Sequence, residues 1–201
     1  MYKLNGKSVL ITGAATGIGR EVAIRFAAEG CDIGIFDVNM DQARKTAADI
    51  EKAGRRCAVY EVDVGNPDQV TKGVDQFIND FGKIDILMNN AGIIQIGTVA
   101  DTPIEAWREV FRINVEGVFN LCKAVVPHLV QRKSGKIINT ASWLGKSAKA
   151  QYGAYSASKF AVIGLTQTLA SELAPLGINV NAICPGTIVE TGMRDLADQR
   201  S

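Results

Sequence analysis

Short apolar runs alternating with helical patterns predict an α/β fold: a doubly wound parallel sheet with helices on both faces, three layers deep. Two further observations agree. A glycine-rich turn joins the first apolar run to the first helical stretch, and an acid closes the second run. The chain of 201 residues is 47% hydrophobic and 21% charged, ordinary globular usage that excludes a disordered or low-complexity chain. No proline- or serine-rich linker, charge block or internal repeat divides it, so residues 1–201 read as one domain.

The elements follow in order. Residues 8–12 (Ser-Val-Leu-Ile-Thr) form the first expected strand, 33–36 the second and 57–62 the third. Residues 84–88, 136–139 and 178–183 are the fourth, fifth and sixth. After the first strand, Ala23, Phe26 and Ala27 recur on one helix face, as do Val70, Val74 and Phe77 after the third. A long helix is expected over 116–131, with Pro127 kinking or interrupting it. Another is expected over 154–173, stopping near Pro175 and Gly177.

Charge and composition narrow the function. Twenty-two Lys and Arg against 21 Asp and Glu leave a net charge of +1, which provides no global field for nucleic acid or an anionic membrane. The cysteines Cys31, Cys57, Cys122 and Cys184 are scattered, without a CxxC or a neighbouring histidine, which argues against a disulfide scaffold or zinc site. The single histidine, His128, reads as a polar residue late in a helix, and no metal is expected. No apolar span is long enough to cross a bilayer and the start has no signal-like core, so a cytoplasmic protein is expected.

The turn Thr12-Gly13-Ala14-Ala15-Thr16-Gly17-Ile18-Gly19 lies where dinucleotide sites form. Gly13 suits the tight turn, Gly17 admits a phosphate close to the backbone, and Gly19 allows helix to pack on strand. The helix N-terminus then offers unpaired N–H groups to a pyrophosphate. Asp37, ending the second strand, can accept hydrogen bonds from the adenosine ribose hydroxyls. It would repel a 2′-phosphate by about 4 kcal/mol at ~4 Å and an effective dielectric of ~20. Val38 follows it and Thr16, not a basic residue, precedes Gly17; Arg20 lies beyond the turn and reads equally as a helix-surface charge. NAD is therefore expected over NADP in a Rossmann-type domain.

Tyr155 and Lys159, four residues apart, share a helix face. A nearby ammonium favours phenolate, so Tyr155 can exchange a proton with an alcohol or ketone. Ser142, thirteen residues before Tyr155, follows the fifth strand and can hydrogen-bond the same substrate oxygen. Alone, a YxxxK pair reads as a solvated helix pair; with Ser142 and the dinucleotide turn it reads as chemistry.

Taken in order over nearly the whole chain, these residues resemble the short-chain dehydrogenase/reductases, in the branch with a TGxxxGxG turn and a YxxxK pair. The resemblance implies that Asp63 and Val64 meet the adenine, that Asn90, Ala91 and Gly92 support the sheet edge beside the cofactor ribose, and that Pro185 and Gly186 border the nicotinamide. It implies that Thr16 and Ile18 join the glycines at the cofactor, that Lys159 also hydrogen-bonds the nicotinamide ribose, and that Asn114 bends a helix and helps hold a water connected to Lys159. Two departures stand out. The family's usual threonine after the Pro-Gly pair is replaced by Glu190, which leaves that cofactor contact to the Ile188 backbone, to Thr191 after a bulge, or to neither. The family also continues past residue 201 through a lid, a seventh strand and a final helix, so this sequence is expected to be part of a longer chain, the alternative being a naturally short chain that covers its sixth strand by dimerising.

The expected activity is NAD-dependent interconversion of a small secondary alcohol (CH–OH) and a ketone, of the sugar, polyol or diol type. The resemblance further implies a homotetramer or dimer. A 3-oxoacyl-carrier-protein reductase would use the same catalytic residues, with Asp37 counting against it. A nucleotide-binding regulatory protein without turnover would not require Ser142, Tyr155 and Lys159 together. Gln95, Trp143, Gln151 and Tyr152 are expected near the mouth, the glutamines suiting a hydroxylated substrate.

Overall fold

In the computed structural model, which describes residues 4–188, strands and helices alternate along the chain. The strands are β1 (Ser8–Thr12), β2 (Asp32–Asp37), β3 (Cys57–Glu61), β4 (Ile86–Asn89), β5 (Gly135–Thr140) and β6 (Ile178–Ile183). The helices are α1 (Gly17–Ala28), α2 (Met40–Lys52), α3 (Pro67–Phe81), α4 (Ile104–Phe111), α5 (Gly117–Arg132) and α6 (Gly153–Leu173). All strands pair in parallel in the order β3-β2-β1-β4-β5-β6. This is the expected doubly wound, Rossmann-type sheet, with its switch point between β1 and β4, where the connections change direction.

Strand alternation divides the core between the two faces. Val9 and Ile11 of β1, Ile33 and Ile35 of β2, and Ile86 and Met88 of β4 pack with Ala23, Ala27, Ala43 and Ile50 of α1 and α2. Leu10, Phe36 and Leu87 point the other way, among Val70, Val74 and Phe77 of α3 and Leu121 and Val125 of α5. Both faces are apolar because both are covered. Gly34, in mid-strand, leaves the notch that seats Phe77: a Cβ there would come within 2.4 Å of the ring.

Three local expectations are corrected. The fourth strand begins at Ile86, because Asp85 is drawn into ion pairs with Lys7, Lys83 and Arg132 just before it. The helical stretch expected from 116 starts earlier, as α4 followed by a π turn over Arg112–Glu116 that leads into α5. Pro127 does not interrupt α5. It lies on the exposed face, as does Lys123, whose carbonyl the proline leaves without a donor, so water replaces the lost bond at little cost. Among the described residues no helix is long and apolar enough to cross a membrane.

Candidate active site

The carboxyl ends of the strands open onto a cleft of about 520 Å³, lined from the end of β2, across the β1 turn and β4, to β5 and α6. At the β2 end Asp37 is held by two backbone groups: its Oδ2 accepts from Ala15 N and its Oδ1 from Asn39 N, both at 2.9 Å. It therefore ties the glycine turn to its own strand as well as facing the cleft.

The turn itself is set by close approach. Gly13 has φ +64°, and a Cβ there would lie 2.7 Å from the Ala91 Cα. Gly19 does not line the cleft; a Cβ at that position would meet the Gly13 carbonyl oxygen at 2.1 Å, which is the helix-on-strand packing expected of it. Thr16, Gly17 and Ile18 do line it. Thr16 makes no side-chain cap to α1, and the first turn of α1 carries no acid. The α1 N–H groups are thus left to an anion, and the residues present fit a dinucleotide whose pyrophosphate lies there.

On the far side of the switch point, Thr12 Oγ1 accepts from both Asn90 N and Ala91 N at 3.0 Å, and Asn90 Nδ2 donates to the Gly13 carbonyl at 3.0 Å. These bonds stitch the β4 end to the β1 turn and bring Asn90, Ala91 and Gly92 to the cleft wall. Asp63 and Val64 reach the wall from the loop after β3, with Asp63 Oδ2 paired to Arg112 Nη1 at 2.7 Å.

At the β5 end, Ser142 follows the strand, and its Oγ accepts from Leu144 N at 3.2 Å. The Trp143 N–H donates to the Pro185 carbonyl at 3.0 Å, which brings the loop with Pro185, Gly186 and Ile188 over the same wall. Tyr155 and Lys159 extend from one face of α6 and are 7% and 3% exposed. Lys159 Nζ donates to the Thr140 carbonyl at 2.8 Å and lies 5.6 Å from the centre of the Tyr155 ring. Burial pushes the Lys159 ammonium down to about 8. Burial also raises the Tyr155 phenol above its ordinary value, partly offset by the Ser142 hydroxyl. In the protein alone burial therefore keeps Tyr155 on the phenol side.

Asn114 lies in the π turn, wholly buried and outside the cleft lining. Its Oδ1 accepts from Ile93 N at 2.8 Å, while its Nδ2 donates to the Ile93 carbonyl at 2.9 Å and to Ser158 Oγ at 3.0 Å. Its amide clamps the loop after β4 to α6 and keeps only one Oδ1 lone pair for a water.

Two sequence expectations fail at the mouth. Trp143 and Tyr152 line the cleft, but Gln95 and Gln151 do not. Gln95 turns to the Ile96 carbonyl at 3.3 Å, and the Gln151 carbonyl accepts from Gly97 N at 2.9 Å. Ile93, Ile94 and Lys149 stand there instead. Glu190 and Thr191 lie outside the described residues. Thr12, which braces the site, was legible only as the polar residue ending the first strand, and Thr140, whose carbonyl holds Lys159, lies one residue past the expected fifth strand.

A family model described as short chain dehydrogenase matches residues 7–201. The chain is 35% identical to the 3-oxoacyl-[acyl-carrier-protein] reductase FabG of Thermotoga maritima, over 99% of this chain and 80% of that one. It is 40% identical to the sorbitol dehydrogenase of Cereibacter sphaeroides, over 92% of this chain and 72% of the relative. Among solved structures, that of NAD+-bound xylitol dehydrogenase superposes with a TM-score of 0.90 at 41% identity, covering 92% of this chain and 72% of the other.

Proposed function

The chain belongs to the short-chain dehydrogenase family, and from that premise we propose that it is an NAD-dependent oxidoreductase interconverting a secondary alcohol and a ketone of the sugar, polyol or diol type. One observation carries the reading. Tyr155 and Lys159 are buried side by side beyond Ser142, in the cleft whose other end is Asp37 and the glycine turn. When bound there, the nicotinamide supplies the hydride acceptor or donor. Asp37 supports NAD, because its carboxylate accepts from hydroxyls and repels a phosphate.

The chain's own residues handle the proton. The Tyr155 phenol, raised by burial, keeps its proton at neutral pH and is set to donate it to a ketone oxygen. Ser142 Oγ orients that oxygen and polarises it. The Lys159 ammonium, which holds its charge below about pH 8, stabilises the phenolate that remains. In the alcohol-to-ketone direction Tyr155 takes the proton back. Asn114 holds the Ile93 loop and α6 together so that these groups stay in register.

The polyol reading is supported by the sorbitol and xylitol dehydrogenases at 40% and 41% identity. The similarity to a 3-oxoacyl-carrier-protein reductase favours a second reading, and Asp37 opposes it where such enzymes use NADPH. The test is Tyr155→Phe. Turnover should fall by about a hundred- to ten-thousandfold while NAD affinity stays unchanged. A variant that keeps most of its turnover overturns the assignment.

A further inference from the structure

Resting on the oxidoreductase reading, we infer that Lys149 determines specificity at the outer end of the cleft and selects substrates carrying a carboxylate or phosphate group beside the reacting alcohol or ketone.

Four charged side chains line the cleft, and three are engaged by the protein. Asp37 is held by two backbone N–H groups, Asp63 is paired with Arg112, and Lys159 is bonded to the Thr140 carbonyl. Among the described residues Lys149 makes no ion pair or side-chain hydrogen bond; its ammonium rests 5.2 Å from the centre of the Tyr152 ring. A cation over an aromatic face keeps its three donors for an arriving anion.

The backbone delivers that pair to the mouth. Gln151, a non-glycine residue, takes a left-handed φ of +69°, which local structure has to hold in place. It is held by the bond from Gly97 N to the Gln151 carbonyl at 2.9 Å and by the bridge between Gly97 and Tyr152. The bond from Tyr152 N to the Lys149 carbonyl closes the turn. The lining also includes Ile93, Ile94 and Trp143, which offer no competing acceptor on their side chains. With a net charge of only +1 the molecule has no global pull on anions, so any preference for them arises locally.

The test uses matched probes on the NAD-loaded protein, in which a ketone binds without being reduced: dihydroxyacetone against dihydroxyacetone phosphate, and ethyl acetoacetate against acetoacetate. Binding is followed by isothermal titration calorimetry. At least one anion should bind about tenfold tighter than its neutral partner, and the pair that does so distinguishes phosphate from carboxylate. Lys149→Met should remove the preference, while Lys149→Arg should retain it. Equal affinity within both pairs, failure of both anions to bind, or a preference that survives Lys149→Met overturns the inference. Failure of the oxidoreductase reading shows elsewhere, as absence of NAD binding or as turnover that survives Tyr155→Phe.

Discussion

Lys159 is a charge kept where a charge is disfavoured. Burial lowers it from an ordinary 10.5 to about 8, so between those values the unfolded chain holds a proton that the folded chain has released. Stability therefore rises with pH across that window, and below about pH 8 the folded state bears the full penalty, on the order of 3 kcal/mol. Lys159→Met should lack this rise. Subtracting its denaturation curves from those of the wild type, from pH 7.5 to 10.5, cancels the opposing effect of Cys57 and Cys122, whose buried thiols are pushed up to about 12. A wild-type curve parallel to the variant's would show that the lysine is not penalised. The same substitution removes the ammonium that supports Tyr155, so the variant should lose turnover while escaping the pH-dependent penalty.

At the scale of elements, the β2 end and the β1 turn act as one unit through Asp37. Asp37→Ala should weaken NAD binding and relax rejection of NADP, and should also destabilise the fold by about 1–3 kcal/mol, since Ala15 N and Asn39 N lose their acceptor. Titration of both proteins with each cofactor and a denaturant curve separate the effects; tighter NADP than NAD binding by the wild type refutes the reading. The strands, α1 and α3 were legible because a sheet buried on both faces writes apolar runs and one-sided helices write a 3.6-residue period, and α6 because Pro175 and Gly177 mark its end. The segment from Ile104 to Glu116 was not, because only Val110 of α4 is buried and a π turn breaks the period. Ser142, Tyr155 and Lys159 were legible by spacing, whereas Lys149 was not, because its place depends on the Gln151 backbone and a bridge to Gly97, more than fifty residues away.

Across the whole molecule the two ends of the sheet do different work. The carboxyl ends carry the cleft, while at the opposite edge Asp85, 5% exposed, gathers Lys7, Lys83, Arg132 and the Ser8 N–H. Burial opposes ionisation there, but Arg132, Ser8 and Lys83 outweigh it and hold the carboxyl at about 2. Its contribution is complete above about pH 4 and is lost as the pH falls through 2, so Asp85→Asn should cost on the order of 2 kcal/mol at pH 7 and flatten acid denaturation between those values. Equal acid midpoints for the two proteins would remove the hub from this account. The strand order also sets a clock for the ribosome. β1 pairs with β2 across 24 positions (Val9 with Ile33), but with β4 only across 77 (Val9 with Ile86), the longest wait of any neighbouring pair. At ordinary elongation speeds that interval lasts about 4 to 15 s, during which one flank of β1 has no mate and is open to another nascent chain. A strand enclosed on both flanks in the finished molecule is thus the one that waits longest for its second mate while it is being made.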